Sequence, residues 1–333
     1  MSEFFVEAVS IGKIGKHPNA DSLSITQVRG RYPVIIKTGA FQPGDTAIHI
    51  PPDALVPVDR PEFAFLADKA KNGLYRVKFS KLRGVPSYGF LVPVPAGESV
   101  VVGQDVREML GVTKYDPGPC YQLGSAIAGE HLSIPQEGVV PHYDIEGLRK
   151  YEGLLAAGED VVATEKIHGS NARFVYLDGA LYCGSRTRFR KNSVWNRMAE
   201  KYSLEAVLSR HPGLVLYGEV YGSGIQDLAY GLKDEQRAVF FDVYDARRGV
   251  WFNTAQFEEF CANHGLPTVP VLYRGPFDLE RMYELAEGTT VLGGGCHVRE
   301  GVVIKPVEER WDQQIGRVFV KLVGEGYLLR KGG

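Results

Sequence analysis

The sequence is poor in the features that mark membrane, secreted or zinc-ribbon proteins. Its four cysteines, Cys120, Cys183, Cys261 and Cys296, lie far apart and form no CxxC pair, which argues against a zinc ribbon or a redox dithiol. Isolated thiols suit a reducing compartment, so we expect the protein in the cytoplasm. No apolar run approaches the roughly 18 residues of a membrane span. The first residues lack the basic and apolar segments of a signal peptide, so we expect neither a leader nor membrane contact.

An excess of one charge is also missing. The 333 residues carry 38 Lys and Arg against 40 Asp and Glu, which gives a formal net charge of −2. A polyanion would therefore have to bind to a local basic patch. Hydrophobic residues at 44% and charged residues at 23% are the balance of an ordinary globular protein and exclude a disordered chain, a collagen or a coiled coil. The sequence does not reveal the oligomeric state, for which a monomer is our expectation.

The length of 333 residues indicates about two domains. Short β-rich segments dominate the first part of the chain, which predicts a small β-barrel or β-sandwich over residues 1–115. The breaker cluster Asp116-Pro117-Gly118-Pro119 marks the boundary. Strands and helices are mixed over residues 120–333, so the predicted fold class is α+β. The clearest predicted elements there are a hairpin that turns at Asp178-Gly179 and helices over Ser193–Leu208, Thr254–His264 and Asp278–Glu287.

One segment, Glu165-Lys166-Ile167-His168-Gly169-Ser170-Asn171, places a lysine between a predicted strand and a glycine turn. A lysine in such a position is usually a solvated surface residue, so this segment alone carries no function. Later segments change that interpretation: Glu219 stands on an otherwise apolar strand, Glu300–Lys305 brings a glutamate and a lysine together, and Lys321 shares a strand face with apolar residues. A lysine on an apolar face is costly unless a carboxylate or a polyanion meets it.

In this order, the motifs resemble those of the covalent nucleotidyltransferases, which are the ATP-dependent ligases and the mRNA-capping enzymes. The first segment is most similar to that of the nick-sealing RNA ligases, in which a histidine, here His168, stands where DNA ligases have an aspartate. Phe241-Asp242 and Ser185-Arg186-Thr187 match two further motifs. Five motifs in one order are much harder to obtain by chance than any one of them. The resemblance covers roughly residues 130 to 333.

A second resemblance concerns the predicted barrel. His17 to Leu23 and Lys81 to Gly89 are similar to the OB-fold tRNA-binding modules attached to some tRNA synthetases. A barrel of this kind before a ligase domain resembles the Deinococcus-type RNA ligases. The resemblance implies an OB-like nucleic-acid-binding domain over 1–115 and an adenylyltransferase domain of antiparallel sheets with flanking helices over 120–333. Only 12 residues follow Lys321, so we expect the extra domain that many other ligases carry after this motif to be absent.

The family resemblance implies an RNA ligase that uses ATP and magnesium, or manganese in its place. It would join 3′-hydroxyl and 5′-phosphate ends, at nicks in RNA or RNA/DNA duplexes. A lysine amine attacks the α-phosphate of ATP, AMP passes to the 5′-phosphate, and the 3′-hydroxyl then displaces AMP. The attacking amine must be neutral, so the pKa of Lys166 must fall from about 10.4. We expect Lys305, Lys321 and a metal ion to lower it.

Site residues follow from the resemblance, with Lys166 as the nucleophile. The other residues it assigns are Glu165 and Phe241 at the adenine, Arg186 and Glu219 at the ribose, His168 near the phosphates, Gly169 and Asn171 elsewhere in the nucleotide site, Lys305 and Lys321 at the α-phosphate, and Glu300 and Asp242 on the metal side. Lys305 lies an odd number of residues after Glu300, so a regular strand would put them on opposite faces. Either the strand bends at Gly301 or one of the two lies outside the pocket.

A run of basic side chains follows the first hairpin. Its members, with no acidic residue between them, are Arg186, Arg188, Arg190, Lys191 and Arg197. A charge run is usually a solvated face, but beside a nucleotide pocket it more plausibly binds the 5′-phosphate strand. On the barrel, Lys81 and Arg83 are either contacts to RNA or ordinary surface residues.

Two other functions stay open from the sequence. A GTP-using, capping-type nucleotidyltransferase has a similar motif set. A non-catalytic RNA-binding protein would keep the barrel and carry a degenerate catalytic domain. The intact Lys166, Glu219 and Glu300 argue against the second alternative. A DNA ligase is less expected because of His168.

Overall fold

The computed structural model describes residues 5–28, 32–115, 129–133, 140–151, 153–313 and 315–330. The chain forms two compact units, one of Ser2–Gly118 with Leu328–Gly333 and one of Pro119–Tyr327. The predicted boundary at Asp116–Pro119 and the residue Cys120 lie outside the described residues. The domain limits of 1–115 and 120–333 remain a prediction.

Short antiparallel strands make up the first unit. They are β1 (Glu7–Ser10), β2 (Gly15–Lys16), β3 (Leu23–Val28), β4 (Tyr32–Lys37), β5 (Thr46–Ile50), β6 (Ala54–Pro57), β7 (Leu74–Arg76), β8 (Ser80–Leu82), β9 (Val85–Ser87), β10 (Phe90–Pro93) and β11 (Thr113–Lys114). They pair in the orders β1-β5-β10, β2-β3-β4, β11-β6-β7 and β8-β9. A 3-10 helix over Pro61–Lys69 and the short helix α1 (Arg107–Leu110) supply Phe63 and Leu110 to a core with Ile48 and Ile50.

The second unit is larger and mixed. Its strands are β12 (Glu130–Leu132), β13 (Glu146–Gly147), β14 (Asp160–Lys166), β15 (Ser170–Leu177), β16 (Ala180–Gly184), β17 (Phe189–Lys191), β18 (Leu214–Gly222), β19 (Gln236–Asp245), β20 (Val250–Trp251), β21 (Val271–Pro276), β22 (Gly301–Pro306), β23 (Trp311–Asp312), β24 (Gly316–Arg317) and β25 (Val320–Val323). Its helices are α2 (Val194–Lys201), α3 (Leu204–Leu208), α4 (Thr254–His264) and α5 (Leu279–Ala286), with 3-10 turns at Leu148–Lys150 and Leu292–Gly294. The last helix, α6 (Glu325–Arg330), follows β25.

Two sheets organise this second unit. A seven-stranded antiparallel sheet has the order β12-β17-β16-β15-β18-β19-β20, and a five-stranded sheet has the order β13-β25-β22-β14-β21. Only β13 and β25 run parallel among the pairs of these two sheets in the described parts of the chain. The predicted α+β class is therefore confirmed. No helix within the described residues is long and apolar enough to span a bilayer.

Apolar side chains cover both faces of the seven-stranded sheet. On one face, Phe174, Leu216 and Phe240 pack against Trp195 of α2 and Phe257 of α4. A separate cluster that contains Val175, Tyr217 and Phe319 lies on the other face. Successive side chains of a strand point to opposite faces, so β15, β18 and β19 must be apolar on both, which their sequences are.

The local predictions for this unit are mostly confirmed. Asp178 and Gly179 both have positive φ, 47° and 84°, as the two-residue hairpin turn requires. The helices at Thr254–His264 and Leu279–Ala286 form as expected, the second capped by Asp278. The single helix predicted over Ser193–Leu208 is wrong. It breaks before α3 because Ser203 takes a φ of 51°, which a continuous α-helix does not tolerate.

We predict that Gly89→Ala destabilises the first unit strongly. Gly89 has a φ of 78°, and a Cβ there would lie 1.9 Å from the carbonyl oxygen of Ile50. Backbone strain and this clash together should lower the free energy of unfolding by about 2–4 kcal/mol. Urea titration would measure it. Gly97→Ala is the control, because Gly97 has a φ of 87° but open space around it, so about 1 kcal/mol is expected. Equal losses would contradict the steric explanation.

Candidate active site

Three lysines lie on one face of the five-stranded sheet. Directly paired residues of antiparallel strands share a face, as do alternate residues of one strand. Lys166 opposes Gly301, and Lys305 lies four residues further along the same strand. Lys321 opposes Val303, which also belongs to this face. The register therefore puts Lys166, Lys305 and Lys321 on the same side of the sheet.

Glu300 reaches the same side because the chain bends before β22. Gly301 has a φ of 153°, and a Cβ there would lie 2.1 Å from the carbonyl oxygen of Leu322. Only glycine fits this close approach. The Oε1 atom of Glu300 lies 2.8 Å from the Nζ of Lys166. Glu300 therefore lies in the pocket with Lys166, and of the two oddly spaced residues it is Lys305 that is turned elsewhere, toward Asp242.

The facing strand β18 contributes a second carboxylate, that of Glu219. Glu219 opposes Asn171 of β15, and the backbone N–H of Gly169 donates to its carboxylate. A Cβ at Gly169 would lie 2.2 Å from the carbonyl oxygen of Val220, so only glycine allows the motif to approach β18 this closely. Lys166 thus has carboxylates from two strands around it.

The pKa of Lys166 is shifted in the direction opposite to the one expected from the sequence. Burial opposes the ammonium, but the carboxylates of Glu300 and Glu219 outweigh it and raise the pKa of Lys166 above its usual value. Although burial opposes ionisation there too, Lys166 and His168 lower the pKa of Glu300 to about 2. Burial and the charge of Glu300 raise the pKa of Glu219 to about 8. The predicted lowering of the Lys166 pKa is therefore not found in this state, because carboxylates rather than cations surround the amine.

Lys321 is the cation that adjoins this cluster. Burial and the neighbouring charge of Lys166 lower the pKa of Lys321 to about 8. Lys321 opposes Val303, and Val303 in turn opposes Thr164, which is two residues before Lys166 on β14. A lysine with a pKa of about 8 is half-charged at slightly alkaline pH, and an anion that binds beside it would make it fully charged.

His168 is held at both ring nitrogens. Its Nε2 lies 2.6 Å from Oδ1 of Asp227, and its Nδ1 lies 3.0 Å from the hydroxyl of Tyr327. Its backbone N–H donates to the hydroxyl of Tyr230 at 2.6 Å. The Oε2 of Glu300 is 3.6 Å from Nδ1, which is beyond hydrogen-bond distance. Asp227, Tyr230 and Tyr327 could not be predicted as site residues, because none of them lies in a recognisable motif.

Asp242 and Lys305 have surroundings other than those expected. Asp242 is fully buried, and its Oδ2 accepts from Tyr143 at 2.6 Å and from Arg317 at 2.7 Å. The Nζ of Lys305 lies 3.4 Å from the same oxygen. Arg317 also forms an ion pair with Glu309. A carboxylate with three such partners does not suit the predicted metal-side role, and Lys305 is turned toward Asp242 rather than toward Lys166.

A β-bulge explains the position of Phe241. In the pairing of β18 with β19, Tyr217 opposes Asp242 and Gly218 opposes Phe240, which leaves Phe241 as the extra residue. Bulges re-aim side chains next to functional sites. The half-buried ring of Phe241 packs on Tyr143 with 4.7 Å between the ring centroids. Sequence periodicity could not reveal this, since a bulge breaks the alternation of faces.

Arg186 and Glu165 lie on either side of these strands. The guanidinium of Arg186 forms an ion pair with Asp144 and remains partly exposed. The backbone N–H of Glu165 donates to the carbonyl of Pro270, and its Oε2 accepts from the N–H of Val291. Its backbone N–H is therefore already bonded in this state, so an adenine contact through this residue would need its carbonyl.

The predicted nucleic-acid contacts lie in two places. In the second unit, Arg188 precedes β17, Arg190 and Lys191 are on it, and Arg197 is on the exposed side of α2. Arg190 donates to the carbonyl of Gly129 at 2.7 Å, and the others are exposed. In the first unit, Lys81 and Arg83 are exposed at the β8–β9 turn.

A divalent cation fits the carboxylates around Lys166. Two buried oxygens there, Oε2 of Glu300 and Oδ1 of Asn171, accept no hydrogen bond from any described residue. Within the described ranges there is no cluster of three or more His, Cys, Asp or Glu side chains that could hold a metal. Magnesium needs no such cage, since it keeps several waters and binds through one or two carboxylates and substrate phosphates. Glu300 and Glu219 are the oxygen donors available for that arrangement.

Comparison with known proteins identifies both units. The RNA ligase family model matches residues 159–323, and an OB-fold domain model matches residues 6–94. Among curated proteins, none is similar enough in sequence to match. A lysine-to-alanine variant of the Naegleria gruberi RNA ligase, solved with ATP and manganese, superposes with a TM-score of 0.83 at 22% identity over 98% of both chains. A lysine-to-methionine variant of the same ligase, with AMP and manganese, has a TM-score of 0.82 at 23% identity over 97% of this chain and 98% of that one.

These matches agree with the motifs and with the geometry. The family model spans the strands that carry Lys166, Glu219, Glu300 and Lys321. The structural likeness extends over nearly the whole chain and confirms the predicted fold of an OB-like barrel followed by a nucleotidyltransferase domain. Residues 159–323 therefore belong to the RNA ligase family, and the chain combines an N-terminal OB-fold domain with this nucleotidyltransferase domain.

Proposed function

We propose that the protein seals 3′-hydroxyl and 5′-phosphate RNA ends in an ATP- and magnesium-dependent reaction that passes through a lysyl-AMP on Lys166. The observation that carries the proposal is the 2.8 Å contact between the Nζ of Lys166 and Glu300, with Glu219 and Lys321 beside it, within residues 159–323, which belong to the RNA ligase family. The solved relatives with ATP or AMP and manganese support the choice of nucleotide and of a divalent metal.

Lys166 is the nucleophile of the first step. Its amine forms a bond to the α-phosphorus of ATP as the bond to pyrophosphate breaks, and it loses its protons in the process. Glu300 holds the amine in place beforehand, which aligns it for attack. The amine is protonated in the free protein, because the pKa of Lys166 is raised, so deprotonation is part of the barrier.

Other residues orient the nucleotide. Lys321 carries the positive charge that meets the α-phosphate. Phe241, re-aimed by its bulge, offers a ring for the adenine, and Arg186, whose guanidinium is partly exposed, contacts the ribose. Glu300 and Glu219 would hold the magnesium ion through water, where it would neutralise charge on the phosphates. Asp242 and Lys305 support the site indirectly by joining the two sheets.

The second and third steps act on RNA. AMP passes from Lys166 to the 5′-phosphate, and the 3′-hydroxyl then attacks that phosphate and releases AMP. We propose a nicked duplex of RNA or RNA/DNA as the substrate, because Arg188, Arg190, Lys191 and Arg197 form an extended basic border near the hairpin that follows Lys166. Lys81 and Arg83 give the OB-fold domain a basic turn for the same polyanion.

A cytoplasmic location fits the cysteines. Cys183 and Cys261 are free and buried, and burial raises the pKa of each thiol to about 12. Such thiols are unreactive and need no oxidising compartment. We propose a cytoplasmic monomer that works without a membrane.

The first prediction for the active site tests whether Lys166 is the nucleophile. Lys166→Ala should lower label transfer from α-labelled ATP to the protein by at least about a thousandfold, because the covalent step has no other amine in place. The same variant should still join a nick that already carries a 5′-adenylate, since that substrate bypasses the lysyl-AMP. A denaturing gel measures both reactions.

The labelling experiment includes a pyrophosphate pretreatment and a control with labelled GTP. Pyrophosphate treatment beforehand removes any AMP already bound to the protein. α-Labelled GTP tests the capping-type alternative, and label from GTP alone would overturn the proposal, as would full label on Lys166→Ala. Nicks with a 3′-hydroxyl RNA strand should be sealed faster than all-DNA nicks.

The second prediction for the active site concerns the pH dependence of lysyl-AMP formation. The pKa of Lys166 is raised, so its neutral fraction should grow tenfold per pH unit through the neutral range. The pKa of Lys321 is about 8, so its charge is lost above that pH. At sub-saturating ATP, the log rate of lysyl-AMP formation should therefore rise with a slope near +1 up to about pH 8 and then level off. In Lys321→Arg, which stays charged, the rise should continue. Identical profiles for the two proteins would contradict this assignment.

Tyr327 supplies the third prediction for this site. Tyr327→Phe removes the hydroxyl that meets Nδ1 of His168 at 3.0 Å and keeps the buried ring. Loss of one buried hydrogen bond should slow lysyl-AMP formation about tenfold, with kcat falling more than KM rises, because His168 is then free to tilt. Tyr273→Phe is the matched control, since its hydroxyl donates to the carbonyl of Pro276 on β21, away from His168. Equal effects of both variants would rule out a positioning role.

A further inference from the structure

A groove at the far end of the seven-stranded sheet has no part in the chemistry described above. It lies where β18 begins, where β19 turns into β20, and along α4, and its volume is about 520 Å³. This is within the size range of sites that hold one small ligand or one nucleotide. We call it the arginine groove after three of its lining residues, Arg210, Arg247 and Arg248.

These three arginines differ from most others in the unit. Exposed arginines such as Arg237, Arg274 and Arg281 each form an ion pair with a nearby glutamate. Among the described residues, the side chains of Arg210, Arg247 and Arg248 have no ion-pair or hydrogen-bond partner. Guanidinium groups without a carboxylate are available to bind phosphate.

The acids of the groove do not cancel this charge. Asp245 accepts the backbone N–H groups of Arg247 and Arg248 at 3.0 and 3.2 Å, so it is engaged in closing the turn. Glu259 is the other acidic residue of the lining. Three arginines against two carboxylates leave the groove positive, and one of those carboxylates is turned to the backbone.

Aromatic rings form the wall between the arginines. Half-buried Phe252 and His211 line the groove together with the edge of Phe260. The Nε2 atoms of His211 and His264 lie 3.1 Å apart. Burial, His211 and Arg210 lower the pKa of His264, which disfavours a positive charge on that ring. Positive grooves with aromatic faces are the usual form of single-strand nucleic-acid sites.

We propose that the arginine groove binds a single-stranded segment of the substrate RNA, away from the ends that are joined. This inference rests on the proposed RNA-sealing function. Leu214 at the groove and Glu219 at the active site are on the same strand, about 17 Å apart at 3.3–3.4 Å per residue, but their side chains point to opposite faces of the sheet. An RNA strand would have to pass around the sheet, so it needs more than the roughly five nucleotides that a stacked strand uses for that distance. Only RNA that extends at least that far from the junction would reach the groove.

The test compares two nicked duplexes, one blunt and one with a single-stranded RNA extension of about ten nucleotides. For the wild type, the extension should lower KM for sealing several-fold. In the triple variant R210A/R247A/R248A this advantage should disappear, while lysyl-AMP formation and sealing of the blunt nick stay unchanged. The salt dependence of RNA binding should also fall, by about two in the log–log slope for three lost phosphate contacts.

Two further variants keep the result interpretable. R237A/R274A/R281A removes the same charge from paired, exposed arginines and should retain the advantage of the extension. The R210K/R247K/R248K variant keeps the charge and should retain most of it, which separates lost binding from lost folding. The proposal is overturned if the extension gives no advantage in the wild type, or if both alanine triples lose it equally. Failure of the proposed function itself would look different, since lysyl-AMP would then be missing from the wild type.

Discussion

A buried carboxylate, Asp242, joins the two sheets on which the active site is built. It has no exposure to solvent, and such a charge is tolerable only when it is paired. Lys305 of β22 and Arg317 supply the pairing, and against the effect of burial they lower the pKa of Asp242. Since Asp242 lies on β19 and Lys305 on β22, this ion pair spans both sheets. The same two sheets carry Glu219 and Lys166, so the geometry of the catalytic cleft depends on it.

In the free protein, the charges in the cleft keep Lys166 protonated and paired. Lys166 is charged and paired with Glu300, whose pKa is about 2, whereas Glu219 holds its proton near neutral pH because its pKa is about 8. The cleft therefore contains one ion pair and one neutral acid, which limits the cost of burying three titratable groups. Bound phosphates would interact with the ammonium of Lys166, and a divalent cation would interact with the carboxylate of Glu300. Both would therefore weaken the ion pair between these two residues. In the reaction we propose, the amine becomes a nucleophile only when its carboxylate partner has another cation to meet.

Much of this protein could be predicted from its sequence. The hairpin at Asp178-Gly179, the helix over Thr254–His264 and the α+β class follow from local patterns, and the RNA ligase family follows from motif order. Motif spacing could not reveal which way a side chain turns. Phe241 sits on a bulge, and Lys305 is turned toward Asp242. Both outcomes depend on strand register and on buried partners that lie more than 60 residues away.

Sequence alone determined the chemical groups and the strands that carry them. A lysine before a glycine turn, two glutamates and a second lysine are local facts of the chain, as is the presence of a glycine at position 301 beside a glutamate. Tertiary structure decided how these groups meet. It put Asp227 and Tyr327 on the two nitrogens of His168, set Asp242 between two cations, and left three groove arginines without an ion-pair partner among the described residues. The physical reason is that pairing of buried charges depends on distances between strands that are remote in sequence, and no local pattern encodes those distances.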